Sequence, residues 1–179
     1  MGTTAWYVAD TSGIRWARAS VPGTGGVLPV EVVHLGSAPP WSTWMVRRTA
    51  FEADRVEDWF VRQLARAEGT LLAHMLDEEF AALTAVAGGT VVARAVAGRA
   101  EAYEQGRSGI ERAAAHHGGA WREAALDRLA MWSHLAPAPA GVPALRRALE
   151  SADADGDRAG DFVLGLFRLL GLPVAGDGR

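Results

Sequence analysis

The longest periodic pattern of apolar residues in this chain lies between positions 54 and 86. Apolar side chains recur there at three- and four-residue spacing, while most charged residues take the other positions, as in an amphipathic helix. The pattern predicts one helix over residues 54–86, with Asp54 as its N-cap and Glu57 as the acid that completes a capping box. Gly88 and Gly89 follow its predicted end. Gly69 is its weak point, because glycine costs a helix about 1 kcal/mol relative to alanine.

The segment before this helix has the pattern of strands and turns. Residues 14–35 predict an extended β-hairpin, because β-forming residues flank a turn-forming sequence at residues 22–26. A break at residues 36–40, which contains two prolines, precedes a return strand at residues 45–51. These elements form the first predicted region, residues 1–53.

The remaining residues, 89–179, mix short patterns of both kinds. Residues 90–96 predict a strand, and residues 100–116 and 142–151 predict helices. Residues 129–132 fit either a helix or a buried strand, because a short apolar run does not distinguish the two by its period. The sequence therefore predicts an α+β fold in one structural unit: an N-terminal β-hairpin with a return strand, a long spine helix over residues 54–88, and a small mixed helix and sheet domain over residues 89–179.

The composition excludes several classes of protein. With 179 residues and 49% hydrophobic residues, the chain is large and apolar enough to bury one core. Its 18 basic and 21 acidic residues give a net charge of −3, which is unlike a protein whose whole surface meets nucleic acid. Cysteine is absent, so disulfides and thiolate sites are excluded. No apolar run approaches the roughly 20 residues of a membrane helix, so we expect no membrane association.

The search for metal-binding and catalytic motifs favours structural interpretations in most places. The acidic run at residues 153–157 lacks the closing glutamate of a calcium loop. His74 and Glu78 are four residues apart but lack a third metal ligand at fixed spacing. The sequence Asp10-Thr11-Ser12-Gly13 has no second copy to supply the paired carboxylates of an aspartic protease. The sequence predicts neither a cofactor nor a metal site.

Two Arg–His pairs support an alternative, enzymatic function. Arg112 and His117 are separated by four residues, and Arg128 and His134 by five. This spacing is similar to the Arg-x(4–6)-His motif of helical, metal-independent ribonucleases from toxin–antitoxin systems. In that motif the arginine steadies the scissile phosphate and the histidine transfers a proton near neutral pH.

The order of the predicted elements resembles the tailed-bacteriophage major capsid protein and encapsulin superfamily. Three segments are similar in sequence to members of that family. They are the passage from strand to spine helix at residues 46–59, the acidic and apolar run at residues 67–80, and the sequence Gly171-Leu172-Pro173-Val174. The resemblance implies a helix at residues 102–115, a central strand at residues 127–132 and a further helix at residues 143–149.

The resemblance implies a non-enzymatic structural subunit that self-assembles into a capsid-like or encapsulin-like shell. We would then expect a homo-oligomer, in the cytoplasm or in a virion, that encloses nucleic acid or protein cargo. Aromatic and arginine side chains are enriched at interfaces. The candidate contact residues are Arg15, Trp16, Arg18, Trp41, Trp44, Arg62 and Arg66. A monomer in which the tryptophans simply fill the core is the competing interpretation, and it would suit a monomeric binding domain.

Overall fold

An antiparallel sheet flanked by helices on both faces organises the chain. The computed structural model describes residues 4–16, 20–23, 26–48, 53–76, 80–98, 119–155 and 159–175. In chain order its elements are β1 (Thr4–Asp10), β2 (Ser20–Gly23), β3 (Gly26–Pro29), β4 (Glu31–Ala38), β5 (Trp41–Arg48), α1 (Ala53–Gln63), β6 (Gly69–Leu76), β7 (Phe80–Ala87), β8 (Thr90–Gly98), α2 (Gly119–Trp132), a 3₁₀ turn (Ser133–Leu135), α3 (Val142–Asp155) and α4 (Ala159–Leu169).

The six strands of the main sheet follow the order β4-β5-β1-β6-β7-β8. β1 lies inside the sheet and pairs antiparallel with both β5 and β6, so that Trp6 stands opposite Val46 on one side and His74 on the other. β2 and β3 form a separate two-stranded hairpin. The sequence pattern did not single out β1, although this strand joins the two halves of the sheet.

One face of the sheet is covered by α1, and we call it the α1 face. Val56 and Phe60 on α1 and Leu64 directly after it recur at four-residue spacing and are fully buried against this face of the sheet. Their partners on the sheet are apolar side chains of alternate strand positions, among them Trp6, Val8, Trp44, Val46, Leu72, Ala82 and Val96. Because strand side chains alternate between faces, this set is separate from the one on the opposite side.

The opposite face packs on the three C-terminal helices, and we call it the helix-layer face. Small residues of the strands, such as Ala73, Ala85 and Ala95, lie under the buried stripes of the helices. The helices contribute Leu126, Leu129 and Trp132 from α2, Leu145 and Leu149 from α3, and Val163, Leu166 and Phe167 from α4. The sheet is therefore buried on both faces at its centre, and the larger apolar core lies on this side.

Two glycine-containing turns show how the local sequence ends β7 and α4. Gly88 and Gly89 both have positive φ, 53° and 77°, as a tight hairpin turn between β7 and β8 requires. At the end of α4, Gly171 has φ 67°, its N–H donates to Arg168 O, and Leu172 N–H donates to Phe167 O. This is the Schellman arrangement, in which a glycine satisfies the last carbonyls of a helix.

The predicted spine helix over residues 54–86 is wrong. α1 ends at Gln63, and the chain then forms β6 and β7. Leu71, Ala73 and Met75 face the helix layer, whereas Leu72 and His74 face α1. A strand buried on both faces is a continuous apolar run, and such a run satisfies helical spacing as easily as a spacing of two.

The predicted arrangement of an extended hairpin, a long spine helix and a small mixed domain is therefore wrong. The extended hairpin over residues 14–35 is replaced by the short β2–β3 hairpin and by β4, which pairs with β5 across a turn at Pro39 and Pro40. Residues 45–48 of the predicted return strand belong to β5, and residues 49–51 lie outside the described residues. Residues 90–96 do form a strand, β8. Residues 129–132 belong to α2, so the central strand that the shell resemblance implied there is absent. The helix predicted at residues 100–116 lies entirely outside the described residues.

Candidate functional site

Buried polar side chains collect between the sheet and α1. The buried polar residues on the α1 face are Asp10, Glu57, Thr70, His74 and Thr84. Burying a polar group without a hydrogen-bond partner costs about 1–3 kcal/mol, so each of these groups needs a physical account. Four of them divide into an ionic cluster, a stacked histidine and a carboxylate in a turn, and the fifth, Thr70, has a buried hydroxyl without a hydrogen-bond partner.

The ionic cluster joins α1 to two strands. The Glu57 carboxylate accepts a hydrogen bond of 2.7 Å from the Thr84 hydroxyl on β7 and one of 2.5 Å from the Arg94 guanidinium on β8. Glu57 is buried, whereas the Arg94 side chain is 44% exposed. The capping role predicted for Glu57 is wrong, because its carboxylate points into the interior and holds α1 against the sheet.

His74 lies on β6 directly opposite Trp6 on β1. Its imidazole stacks on the Trp6 indole with ring centroids 4.5 Å apart and planes 18° from parallel. The side chain is fully buried, and neither Nδ1 nor Nε2 has a hydrogen-bond partner. Burial lowers the pKa of His74 from 6.5 to about 3, because the charged ring would have no water around it. The imidazole is therefore neutral at neutral pH.

Trp6 belongs to an aromatic cluster that binds α1 to the sheet. The Trp6 and Phe60 ring centroids are 5.6 Å apart, and Phe60 in turn contacts Trp16 and Trp59 at 5.7 and 5.0 Å. These tilted and edge-to-face contacts are the geometries that aromatic pairs prefer. His74 is thus the sheet-side end of a continuous aromatic contact that includes α1 and the segment before β2.

Asp10 ends β1 and organises the turn that follows. Its Oδ1 accepts hydrogen bonds from the Ser12 amide at 2.8 Å and from the Ser12 hydroxyl at 2.5 Å. Burial raises the pKa of Asp10, while these bonds and the nearby Trp16 indole lower it in part; no hydrogen bond of normal geometry joins Asp10 to Trp16. The Asp10-Thr11-Ser12-Gly13 sequence is a turn around a buried carboxylate.

The strand β4 forms one edge of the main sheet. Among the described residues, one backbone hydrogen bond reaches its outer side, from Ala175 N–H to Leu35 O at 2.5 Å. The C-terminal segment, residues 172–175, passes so close to Gly36 that a Cβ there would lie 2.9 Å from the backbone carbon and oxygen of Pro173. The edge of β4 thus accepts an extended chain, and the chain's own C-terminal segment contacts it at one point.

A chain of polar contacts lies on the exposed surface of the β4–β5 pair. His34 Nε2 is 2.8 Å from Ser37 Oγ, which is 3.0 Å from Ser42 Oγ. A serine next to a histidine can act as a nucleophile and its base when a third group orients the histidine. No described carboxylate hydrogen-bonds to His34, whose ring instead contacts Trp44 in a tilted arrangement, with ring centroids 4.3 Å apart and planes at 44°. We therefore interpret these contacts as part of the surface structure of the β4–β5 hairpin.

The predicted contact residues fall into three groups. Trp16, Trp41 and Trp44 are buried within the single chain, at 6%, 3% and 9% exposure, so they have almost no surface left for a partner. Arg15, Arg62 and Arg66 are exposed. Arg18 lies outside the described residues. The tryptophans thus fill the core, as the competing interpretation of the sequence had it.

The predicted ribonuclease residues are only partly described. Arg112 and His117 lie outside the described residues, whereas Arg128 on α2 and His134 on the 3₁₀ turn are both exposed. Positions six apart in such a helix lie roughly 80–120° apart around its axis. This separation does not favour joint action on one phosphate, and the six-stranded sheet is unlike an all-helical nuclease.

A scan of protein-family models and searches of curated proteins and of solved structures found no match. Membership of the shell superfamily therefore stays a prediction.

Two further properties follow from the described part of the chain. No three histidine, aspartate or glutamate side chains converge there as metal ligands would. None of the helices in these ranges is both long and apolar enough to cross a bilayer.

Sequence reasoning missed Thr84 and Arg94 as partners of Glu57. Their signal was present, since an arginine and a threonine interrupt two strands of otherwise small and aliphatic residues. It could not be interpreted while β7 was assigned to a helix, because only the antiparallel pairing of Thr84 with Arg94 places them side by side.

Proposed function

We propose that this chain is a non-catalytic structural subunit that associates with a second copy of itself through the outer edge of β4. The proposal rests on how few backbone hydrogen bonds reach that edge in the described structure. β4 is eight residues long, and in the described structure its outer side receives one hydrogen bond, from Ala175. An unpaired strand edge is a template for pairing with another chain.

The residues of β4 lack most of the devices by which proteins block such edges. Proline and lysine are absent from it, Glu31 is its one charged residue, and Val32, Val33 and Leu35 are each half-buried. A register shift between His34 and Gly36 is the one irregularity in its pairing with β5. Natural edge strands are commonly protected by charges, prolines and bulges, and β4 has few of these.

The charge pattern suits pairing between identical strands. In an antiparallel pair of two β4 strands the two Glu31 side chains lie toward opposite ends, so like charges do not stand opposite each other. Such a contact has two-fold symmetry and joins the sheets of two copies edge to edge. The Leu35–Ala175 hydrogen bond shows that this edge accepts an extended segment, and a second β4 strand would take the place of residues 172–175 at Leu35 and Gly36.

This proposal retains self-association from the sequence analysis and abandons the shell geometry. The spine helix and the exposed tryptophans on which the shell depended are absent from the described structure. A two-fold edge contact closes on itself as a dimer, so a shell would need a second, different interface. No observation favours the ribonuclease over this proposal.

Size-exclusion chromatography with light scattering tests the proposal on the full chain. We expect the mass to rise toward twice that of one chain as the concentration increases. Val33→Lys places two like charges near each other in the pair and should yield a monomer at every concentration. Thr90→Lys is the matched control, because Thr90 is an exposed residue at the start of the opposite edge strand. A wild-type monomer throughout, or equal association by both variants, would overturn the proposal.

A further inference from the structure

We propose that His74 is an acid-sensitive latch, and that protonation of its imidazole releases α1 and the Trp16 segment from the sheet. The proposal does not depend on the association of copies through β4. It rests on the position of His74 within the aromatic contact between α1 and the sheet.

Both ring nitrogens of His74 would carry N–H groups after protonation, and neither has an acceptor. The side chain is fully buried, and Nδ1 and Nε2 already lack partners in the neutral state. The face of Trp6 attracts a cation, but it does not replace the hydrogen bonds to water that a buried imidazolium loses. The charged ring is therefore stable only if water reaches it.

Among the side chains that the structure describes, none places a free counter-charge beside the ring. The charged groups that the described residues place on the α1 face are Asp10 on β1, Glu57 on α1 and Arg94 on β8. Glu57 is already bonded to Arg94 and Thr84. Asp10 is four strand positions from Trp6, the residue opposite His74, which corresponds to about 13 Å. A further titratable group that the described side chains place on this face is His34 on β4, which is exposed.

The unit that would separate from the sheet, α1 with the Trp16 segment, is small and has its own apolar core. His74 contacts Trp6, which contacts Phe60 on α1, and Phe60 contacts Trp16. The helix-layer core lies on the other face of the sheet and shares none of these side chains. α1 can therefore separate while α2–α4 stay packed, as in local opening of a cooperative unit.

The size of the effect follows from linkage. His74 has a pKa of about 3 when buried and 6.5 when free in water. The open form binds the proton more tightly, so the closed form loses stability as pH falls below 6.5, and the loss stops only near pH 3. Between pH 7.5 and pH 5 the ratio of open to closed α1 should rise about 30-fold.

Hydrogen exchange measured by mass spectrometry on the full chain tests this. At pH 7.5 and 5.0, after correction for intrinsic exchange rates, the α1 amides should show the 30-fold rise while those of α2–α4 do not. His74→Phe keeps an aromatic ring and removes the titration, so its α1 amides should change less than threefold. His34→Phe is the matched control, because His34 also contacts the tryptophan opposite it in the register, in a tilted arrangement, but is exposed.

Three outcomes would overturn the proposal. The His74→Phe chain could keep the full pH response, the His34→Phe chain could lose it, or α2–α4 could open in step with α1. If His74→Phe does not fold, the histidine Cε1 resonances of the wild-type chain decide the matter. One of the five histidines should not titrate between pH 8 and 5.5, and five ordinary titrations near pH 6.5 would reject the latch.

Discussion

The Glu57 carboxylate on α1 accepts a 2.7 Å hydrogen bond from the Thr84 hydroxyl on β7. This contact connects α1 with a strand buried on both faces. Arg94 on β8 completes the cluster from a half-exposed position. Because the carboxylate is buried and satisfied, the three residues position α1 more specifically than apolar packing alone would.

Glu57→Ala should lower the free energy of unfolding by about 2 kcal/mol, because the Thr84 hydroxyl loses its acceptor in a buried site. Thr84→Val should cost about 1 kcal/mol, since Glu57 keeps its bond to Arg94. Urea denaturation at pH 7 measures both. Asp58→Ala is the control, because Asp58 is the exposed neighbour on the same helix. An equal loss in Asp58→Ala would contradict the structural role of the cluster.

Ser133→Ala should lower the free energy of unfolding by about 2 kcal/mol. The Ser133 hydroxyl is buried, lies 2.7 Å from Ala130 O and 3.1 Å from Ala140 O, and accepts a 3.0 Å hydrogen bond from Ala140 N–H. Alanine leaves that amide without a partner between α2 and α3. Ser37→Ala, at an exposed serine, should change thermal stability by less than a quarter of this effect. Similar melting temperatures for the two variants would refute the prediction.

Asp10→Asn should alter the pH dependence of stability with a definite sign. Burial raises the pKa of Asp10 in the folded chain above 3.8, so the folded state binds the proton more tightly than the unfolded state. Stability contributed by this residue is therefore greatest at low pH and is lost as pH rises from 3.8 through the folded pKa. Asparagine keeps an oxygen acceptor for Ser12 and carries no charge.

The gain of Asp10→Asn over the wild-type chain should consequently be larger at pH 7 than at pH 4. Chemical denaturation at the two pH values measures it. Because His74 is present in both chains, its opposite contribution cancels in the difference. A gain that is larger at pH 4 would show that the carboxylate is stabilised by its surroundings in the folded state.

Gly36→Ala should displace the C-terminal segment from the edge of β4. The new Cβ would meet the Pro173 backbone at 2.9 Å, and backbone cannot yield as a flexible side chain does. We expect a loss of about 1–3 kcal/mol and faster exchange of the Ala175 amide. Gly165→Ala is the paired control in α4, where a Cβ meets nothing within 4 Å. That variant should gain up to about 1 kcal/mol, because alanine is a better helix former.

Some elements could be predicted because local sequence is enough to specify them. Val56, Phe60 and Leu64 mark the buried stripe of α1, and Gly88 and Gly89 mark a chain reversal whatever the adjacent elements are. The strand at residues 90–96 and the helix at residues 142–151 were recognised in the same way. Each depends on contacts or backbone angles that lie within a few residues.

The assignment failed at β6 and β7, where burial is two-sided. Leu71 and Leu72 are both fully buried, but on opposite faces, and no spacing rule separates that pattern from a helix. The candidate site failed with it, because Thr84 and Arg94 become neighbours only through strand pairing. The tryptophans were proposed as contacts for other copies because their intrachain partners, such as Trp132 for Trp41, lie far away in sequence.

The sequence was enough to indicate the apolar stripe of α1, the chain reversal at Gly88 and Gly89, and the capacity to bury an apolar core without disulfides. Tertiary structure alone decided which face each apolar residue occupies, that β1 joins the two halves of the sheet, and that His74 is buried against Trp6 without a hydrogen-bond partner. The physical reason is that the hydrophobic effect depends on the area removed from water and not on direction. Periodicity therefore reports burial, while the choice of partner comes from hydrogen-bonded pairing between strands distant in sequence.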